Sequence, residues 1–216
     1  MKKIGILGSG AVGQALGDGF IKYGHEVMIG TRSPEKMDEW RAAAGNKGNV
    51  GTFDSAATYG DIIVLACKGT AAKEVLSLAG KDKLRGKIII DATNPIADAE
   101  PVNGVLRYFT TLEKSLMEDL QEEVPDAYFV KAFSSIGSHL MVNPDFDGLN
   151  PTMFICGNHQ ASKNEVATIL TQFGFETEDM GNIEAARAIE PLAMLWCIPG
   201  FRENKWNHAF KLLKKS

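Results

Sequence analysis

Short apolar runs alternate with segments of helical periodicity along the first 135 or so residues, a pattern typical of a parallel α/β sheet. The apolar runs predict buried strands at 4–7, 26–29, near 50–53, 62–66, 87–91 and 128–132. Helices are predicted between them, at 11–23, 34–45, 71–79 and 115–123. The first helix is expected to end at Gly24, since glycine commonly terminates helices. The pattern therefore predicts an α/β fold of the doubly wound Rossmann type, with a mostly parallel sheet.

The last 80 or so residues continue the alternation. Strands are predicted at 153–156 and 175–178, and helices at 161–173, 183–197 and 202–213. Residues 1–135 are predicted to form a Rossmann unit. Residues 136–216 should extend its sheet and add C-terminal helices, so that both parts pack as one compact domain. The segment 96–111 shows no firm period, and a loop of that length in a compact domain is usually functional or mobile.

A glycine-rich turn follows the first predicted strand and opens the first predicted helix. It reads Gly8-Ser9-Gly10-Ala11-Val12-Gly13 and fits the GxGxxG pattern of dinucleotide-binding proteins, in the strand–turn–helix context that the pattern requires. Gly8 is expected to make the tight turn, Gly10 to let the backbone approach a pyrophosphate, and Gly13 to let helix and strand pack closely. The helix N-terminus would face the anion. A glycine-rich turn without a ligand is the disfavoured alternative.

The end of the second predicted strand indicates which dinucleotide is bound. NAD-binding sites place an acidic residue there, which bonds the ribose hydroxyls. In this chain the strand runs into Thr31, Arg32 and Ser33, with Lys36 one turn further and no carboxylate at the strand end. A guanidinium, two hydroxyls and an ammonium suit a 2′-phosphate, so these four residues predict an NADP(H)-binding unit. The alternative left open is that Arg32 is a solvated loop residue and either cofactor binds.

Three more turns follow predicted strands and should line the crevice for the ribose and nicotinamide, because ligands of doubly wound sheets bind at the carboxyl ends of strands. The cofactor-binding residues predicted in these turns are Ala66, Cys67, Lys68, Asn94, Pro95, Ala132 and Phe133. Asp91 is predicted to stabilise the turn that Asn94 and Pro95 make. Free cysteine is most often a small buried apolar residue, so Cys67 is not assigned a catalytic role.

Composition narrows the classes of partner. With 23 basic and 27 acidic residues the net charge is −4, and a mildly acidic chain without a basic stripe is a poor nucleic-acid binder. The three cysteines and four histidines lack metal-site spacing, which predicts reduced thiols and no metal. The longest apolar stretch, 192–201, is about half the length needed to cross a bilayer. A soluble, cytoplasmic protein without a membrane partner is expected.

Four stretches of the chain resemble the deazaflavin-dependent NADP oxidoreductase family, whose fold also forms the cytosolic domain of the six-transmembrane metalloreductases. They are GILGSGAVGQAL with MIGTRS, the turn DATNP, the strand VKAFSS, and the late segment from FICGNHQ to PLAMLW, spread between Ile4 and Trp196. The first stretch is shared by many dehydrogenases, whereas the last two are more specific. The resemblance implies NADP(H), a flavin or deazaflavin as co-substrate, and hydride exchange between stacked rings. No dedicated acid or base is then expected, and no catalytic residue is assigned.

The resemblance also carries particular residues. The family's phosphate-loop and 2′-phosphate positions map onto Ser9, Gly10, Ala11, Val12, Thr31, Arg32, Ser33 and Lys36, and its turn before the nicotinamide maps onto Ala132 and Phe133. Family members often carry Asn or His after the KAF stretch. Ser134 stands there in this chain and leaves the acceptor open. In the family the C-terminal segment helps to form a homodimer and the acceptor pocket, so residues 195–201 are expected to touch substrate.

The leading hypothesis is an NADPH-dependent reductase that passes hydride to a flavin-type or other small redox acceptor. The loop 102–109, with Arg107, Tyr108 and Phe109, is the candidate lid or acceptor platform, because aromatic rings can stack on an isoalloxazine. A second hypothesis is a catalytically silent module that binds or senses NADP(H). An imine or 3-hydroxyacid reductase shares the opening fingerprint but needs a long helical domain, and only about 36 residues follow Met180.

Overall fold

A computed structural model describes residues 1–215 and contains a six-stranded, wholly parallel sheet with the strand order β3-β2-β1-β4-β5-β6. Its strands are β1 (Lys3–Leu7), β2 (Glu26–Gly30), β3 (Gly48–Gly51), β4 (Ile62–Leu65), β5 (Ile88–Asp91) and β6 (Tyr128–Lys131). The register pairs Leu7 with both Gly30 and Leu65, and Asp91 with both Leu65 and Lys131. The carboxyl ends of these strands therefore lie level with one another, and the turns that follow them share one edge. The predicted Rossmann-type fold class is confirmed.

Helices cover both faces of this sheet. They are α1 (Ala11–Lys22), α2 (Asp38–Ala44), α3 (Phe53–Tyr59), α4 (Ala72–Ala79), α5 (Lys81–Leu84), α6 (Leu116–Glu123), α7 (Gln160–Gln172) and α8 (Ala186–Glu203). Leu16 and Phe20 of α1 belong to the core cluster on one face, and Ala56 of α3 and Leu120 of α6 belong to the cluster on the other. Burial of both faces explains why the strands are almost continuously apolar.

The third strand and the helix after it differ from the prediction. The strand ends at Gly51 rather than at Phe53, and Phe53 begins α3, a helix that the apolar pattern did not reveal. Thr52 ends the strand because it caps the helix, its hydroxyl accepting a hydrogen bond of 3.2 Å from the Ser55 N–H. The helix packs tightly on β1, where a Cβ on Gly5 would lie 2.2 Å from the Ala56 carbonyl oxygen.

The C-terminal strands meet the main sheet less extensively than predicted. β7 (Thr152–Ile155) and β8 (Glu176–Asp179) pair in parallel as a two-stranded sheet of their own. A single antiparallel bridge, in which the Lys131 N–H donates to the Cys156 carbonyl oxygen at 3.0 Å, joins this pair to β6. The ladder stops after one pair because β6 ends at Lys131 and the chain turns at Phe133, whose φ is 61°.

The last predicted helix, 202–213, is wrong. α8 runs to Glu203 and ends at Asn204 in the left-handed conformation, with φ 54°. The chain then folds back, so that the Trp206 ring would lie 2.2 Å from a Cβ on Gly200. The tail continues to β7, where the Thr152 N–H donates to the Phe210 carbonyl oxygen at 2.8 Å. A strand-edge contact therefore replaces the expected helical turns.

Within residues 1–215, no helix combines the length and the apolar character needed to cross a membrane.

Candidate functional site

The turn between β1 and α1 has the close approaches that the glycine pattern predicts. Gly8 has a φ of 137°, and a Cβ there would lie 2.2 Å from the Ala66 carbonyl oxygen. A Cβ on Gly13 would lie 2.0 Å from the Gly8 carbonyl oxygen, which holds α1 against the turn. Gly10 is different, because a Cβ there would meet no atom within 4 Å. The open space therefore lies at Gly10, where a ligand can approach the backbone.

The N-terminus of α1 points its unpaired amides at that open space. Gly10 is the N-cap, no side chain caps the helix, and the first turn holds no acidic residue. The first-turn amides, from Ala11 to Gly13, have no intrahelical acceptor by helix geometry. Ala11 is exposed and Val12 half-buried, and the Gln14 amide fixes the turn by donating to the Ser9 carbonyl oxygen at 2.8 Å. Such an end binds anions such as a diphosphate.

The residues after β2 gather around the hydroxyl of Thr31, which is buried. Its oxygen accepts hydrogen bonds from the Ser9 hydroxyl at 3.0 Å and from the Ser33 N–H at 3.3 Å. These contacts tie the second strand's turn to the glycine-rich turn. Arg32 is exposed and forms none of the ion pairs found within residues 1–215. Lys36 is also exposed, on the short 3₁₀ turn Pro34–Met37, and lies outside the cavity described next.

A cavity of about 310 Å³ opens beside these turns. The predicted residues on its wall follow three strands, β1, β2 and β4, and are Gly8, Ser9, Gly10, Thr31, Arg32, Ala66, Cys67 and Lys68. Helices contribute wall residues that sequence reasoning missed, namely Phe53, Ala71, Glu74, Val75 and Leu78. Four of these five side chains are apolar, and such a wall suits a flat heterocycle such as adenine.

A second cavity of about 270 Å³ adjoins the first and shares Cys67 and Lys68 with it. Its remaining wall consists of Gly69, Ala92, Asn94, Ile96 and Asp98. The turns after β4 and β5 are in backbone contact at this point, since a Cβ on Gly69 would lie 2.0 Å from the Asn94 carbonyl oxygen. The two cavities together make one elongated crevice along the carboxyl ends of the strands.

Asn94 lies on the wall of the second cavity and is held by the strand ends around it. The Asp91 carboxylate accepts hydrogen bonds from the Thr93 N–H at 2.9 Å and the Thr93 hydroxyl at 2.6 Å, as the sequence predicted for this turn. The Asn94 side-chain amide donates to the Ser134 carbonyl oxygen at 2.7 Å. The Asn94 Oδ1 and Ser134 Oγ atoms are buried without a partner in residues 1–215. Buried polar atoms normally have partners, so this turn holds two hydrogen-bonding atoms that the described protein residues leave unused.

Of the seven residues predicted in the turns after β4, β5 and β6, three lie outside the walls of both cavities. Pro95 and Ala132 are buried. Phe133 is buried with its ring against Phe173 and Phe175, at centroid distances of 6.0 and 6.1 Å. Phe133 therefore anchors the turn after β6 to the C-terminal part of the chain.

The Cys67 thiol lies in the crevice but is not activated. Burial, with a further contribution from the negative charge of Asp91, raises the pKa of this thiol to about 12. A reactive cysteine requires a lowered pKa, because the thiolate is the nucleophile. Cys67 therefore forms part of the wall and remains a protonated thiol.

The segment 96–111 is an ordered hairpin-like loop against α8. Ile96 bridges Tyr108, and Val102 bridges Val105 at the tip. The Tyr108 hydroxyl donates to the Glu190 carbonyl oxygen at 2.8 Å, and burial raises the pKa of Tyr108. Its aromatic ring is therefore fixed against the helix, while Phe109 is exposed.

The donor set of the crevice fits NADP(H). A helix N-terminus faces the open space at Gly10, an exposed guanidinium stands at the end of the second strand, and Asn94 lies on the wall at the opposite end. Comparisons with known proteins agree with this match. The sequence model of a family described as NADP oxidoreductase coenzyme F420-dependent matches residues 3–95, which include the glycine-rich turn and the DATNP turn.

Full-length relatives extend the match beyond that segment. Metalloreductase STEAP3 of Rattus norvegicus is 30% identical over 201 residues, which cover 91% of this chain and 38% of that protein. The chain thus spans little more than a third of the metalloreductase. The F420-dependent NADP reductase of Methanothermobacter thermautotrophicus is 27% identical over 208 residues, covering 90% of this chain and 87% of that protein.

A solved structure matches over the whole length of both chains. It is the crystal structure of a candidate F420-dependent NADP reductase from Arthrobacter sp. FB24, with a TM-score of 0.92 and 30% sequence identity, and the match covers 99% of this chain and 100% of that one. Sequence and structure agree, and the chain belongs to the coenzyme F420-dependent NADP oxidoreductase family.

Proposed function

We propose that this protein is an NADPH-dependent oxidoreductase that passes hydride between NADP(H) and a small acceptor of the flavin or deazaflavin type. The observation that carries the proposal is the continuous crevice from Arg32 past the open face of Gly10 to Asn94. NADPH, when bound, supplies the hydride. The names of the relatives, F420-dependent NADP reductase and metalloreductase, support the same class of reaction.

The chain's own residues bind and orient in this proposal. The amides at the start of α1 bind the diphosphate, and Arg32 with the hydroxyls of Thr31 and Ser33 binds the 2′-phosphate. Asn94 and Ser134 hold the nicotinamide end, where Asn94 Oδ1 accepts and Ser134 Oγ donates. Hydride transfer between two rings needs no protein acid or base, so positioning supplies most of the catalysis. The protonated Cys67 thiol agrees with a wall role rather than a covalent one.

The 2′-phosphate assignment is tested by Arg32→Ala. A hydrogen bond to a charged group contributes about 1.5–3 kcal/mol, which corresponds to a roughly 10- to 150-fold weaker binding of NADPH. NADH lacks the phosphate, so its dissociation constant should stay within about twofold. Arg41→Ala is the matched control, because Arg41 is exposed and pairs with Asp38 outside the crevice. Equal losses for NADPH and NADH in the Arg32 variant would refute the assignment.

The acceptor is tested by following NADPH oxidation at 340 nm with FMN, FAD, a deazaflavin, ferric chelates and quinones. Oxidation by one of these above the blank is the expected result. Tight NADPH binding without oxidation by any of them would instead support a silent NADP(H)-binding module.

We further propose that the protein works as a homodimer in a reducing compartment such as the cytoplasm. Leu195 and Phe201 of α8 and Val102 of the hairpin-like loop are exposed apolar residues on packed neighbouring elements, as dimer interfaces often have. The three cysteines are free thiols, in line with such a compartment. Light scattering after size exclusion tests the dimer, and Leu195→Lys should shift it to the monomer mass.

A further inference from the structure

A fully buried lysine stands at the end of β6, directly below the turn that carries Asn94. The Lys131 ammonium lies 2.8 Å from Asp91 Oδ2 and 2.9 Å from Glu190 Oε1, and it donates to the Thr93 carbonyl oxygen at 2.9 Å. Its exposed fraction is 0%. Three oxygen atoms, from Asp91, Thr93 and Glu190, thus surround the ammonium.

Glu190 connects this lysine to the helices on the same side of the sheet. Its two carboxylate oxygens accept hydrogen bonds of 3.0 Å from the N–H groups of Leu116 and Met117, in the first turn of α6. Its backbone carbonyl oxygen accepts the Tyr108 hydroxyl. One residue of α8 therefore meets the start of α6, the hairpin-like loop and, through Lys131, the ends of β5 and β6.

The cluster places two carboxyl groups around one ammonium. All three groups are buried. Burial alone lowers the pKa of Lys131, but the charges of Asp91 and Glu190 outweigh it and raise that pKa, so the lysine stays charged. Buried ion clusters of this kind give little net stability compared with apolar residues of the same size. The arrangement of this cluster is therefore better explained by a role in positioning the neighbouring turn than by a contribution to the stability of the fold.

We propose that Lys131 is a positioning residue for the nicotinamide end of the crevice. By holding the Thr93 carbonyl group it places Asn94, which in turn binds the Ser134 carbonyl oxygen and carries one of the two unpaired oxygens. This inference rests on the proposed NADP(H)-binding function and adds a residue that does not itself line either cavity.

The test separates the two ends of the dinucleotide. Lys131→Met keeps an unbranched side chain one atom shorter and removes its charge and its hydrogen bonds. Calorimetric titration measures the affinity of each variant for NADPH and for adenosine 2′,5′-bisphosphate, which contains only the adenosine end and the 2′-phosphate. The titrations are done at a temperature where circular dichroism shows each variant to be fully folded. We expect NADPH affinity to fall about tenfold or more, because the turn that carries Asn94 is displaced. The affinity for the bisphosphate should stay within about twofold, since that ligand does not reach this turn.

Lys163→Met is the matched control. Lys163 is also buried and paired, lying 2.9 Å from an Asp179 carboxylate oxygen and donating to the Gly181 carbonyl oxygen at 3.2 Å, but it belongs to α7, away from the crevice. Its loss should lower the melting temperature and leave both affinities unchanged. Hydrogen exchange in the ligand-free protein gives a second readout, because the segment 92–96 should exchange faster in the Lys131 variant and not in the Lys163 variant.

A second variant keeps the test decisive if Lys131→Met folds poorly. Adding Glu190→Gln removes one of the two carboxylate charges that the lysine leaves behind, so stability should partly return, whereas Thr93 remains unheld and the selective loss of NADPH affinity should persist. Recovery of NADPH affinity together with stability would overturn the positioning role, as would wild-type affinity in the single variant. Failure of the wild-type protein to bind NADPH would instead refute the proposed function.

Discussion

Replacing Gly10 and Gly13 by alanine separates ligand binding from folding within one turn. Both glycines belong to the same sequence pattern and lie three residues apart. The Cβ of an alanine at position 10 meets open space, whereas at position 13 it lies 2.0 Å from the Gly8 carbonyl oxygen. The first substitution should therefore affect mainly the ligand, and the second should affect the protein itself.

The magnitudes follow from these contacts. For Gly13→Ala the helix must move away from the turn, and overpacking of this kind costs about 1–3 kcal/mol. For a chain of this length that lowers the melting temperature by roughly 2–12 °C. For Gly10→Ala the ligand-free protein should lose no more than about 1 kcal/mol, because alanine is a poorer N-cap residue than glycine. Loss of amide hydrogen bonds to the diphosphate would weaken NADPH by about 1.5–3 kcal/mol, or roughly 10- to 150-fold.

Thermal unfolding with and without NADPH measures both effects in one assay. NADPH should raise the melting temperature of the wild-type protein. Without ligand, Gly10→Ala should melt close to the wild type, but it should lose most of the stabilisation by NADPH. Gly13→Ala should have a lower melting temperature even without ligand. If Gly10→Ala keeps the full stabilisation by NADPH, the diphosphate does not bind at the start of α1 and the assignment of the crevice is refuted.

Two further predictions concern groups with shifted pKa values. Because the pKa of Cys67 is raised to about 12, iodoacetamide at pH 8 should label it roughly 10²–10³-fold more slowly in the folded protein than in urea. Peptide mapping measures the two labelling rates. Rapid labelling of the folded protein would mean that the thiol is activated. The hydrogen bond from Arg187 is the main cause that lowers the pKa of Glu118 to about 2, so its carboxylate stabilises the fold fully above its ordinary pKa of 4.5 and loses this effect as the pH falls towards 2. The difference in urea midpoint between wild type and Glu118→Gln should therefore be largest near pH 7 and shrink below pH 4.5, and a difference independent of pH would contradict this.

The strands and most helices of the fold could be predicted from the sequence because local apolar runs and helix ends reflect local physical chemistry. The failures have tertiary causes. The apolar pattern predicts Phe53 as the end of a strand, although its burial comes from starting a helix that packs across the sheet. Beyond Glu203 the helical spacing of aromatic residues was misleading, because Trp206 packs back on Gly200 instead of along a helix.

The wall residues of the crevice that lie in turns could be predicted from the sequence, whereas those that lie on helix faces could not. The glycine-rich turn and the ends of the strands have sequence signals, and the structure brings Gly10, Arg32, Cys67 and Asn94 into one crevice. Glu74 and its neighbours on α4 have no such signal, since only the strand order determines which helix covers the first cavity. The ion pair of Lys131 has no such signal either, because its partner Glu190 lies 59 positions later in the numbering, on α8.

The contact between Gly69 and Asn94 limits how this crevice can change. The Cβ of a side chain at position 69 would lie 2.0 Å from a backbone oxygen of the neighbouring turn. The backbone conformation of each turn therefore depends on that of the other. Loop libraries that diversify only one of them should give mostly misfolded chains. Changing the range of acceptors by loop grafting therefore requires segments 67–70 and 92–95 to be taken together from the same donor protein, as a single cassette.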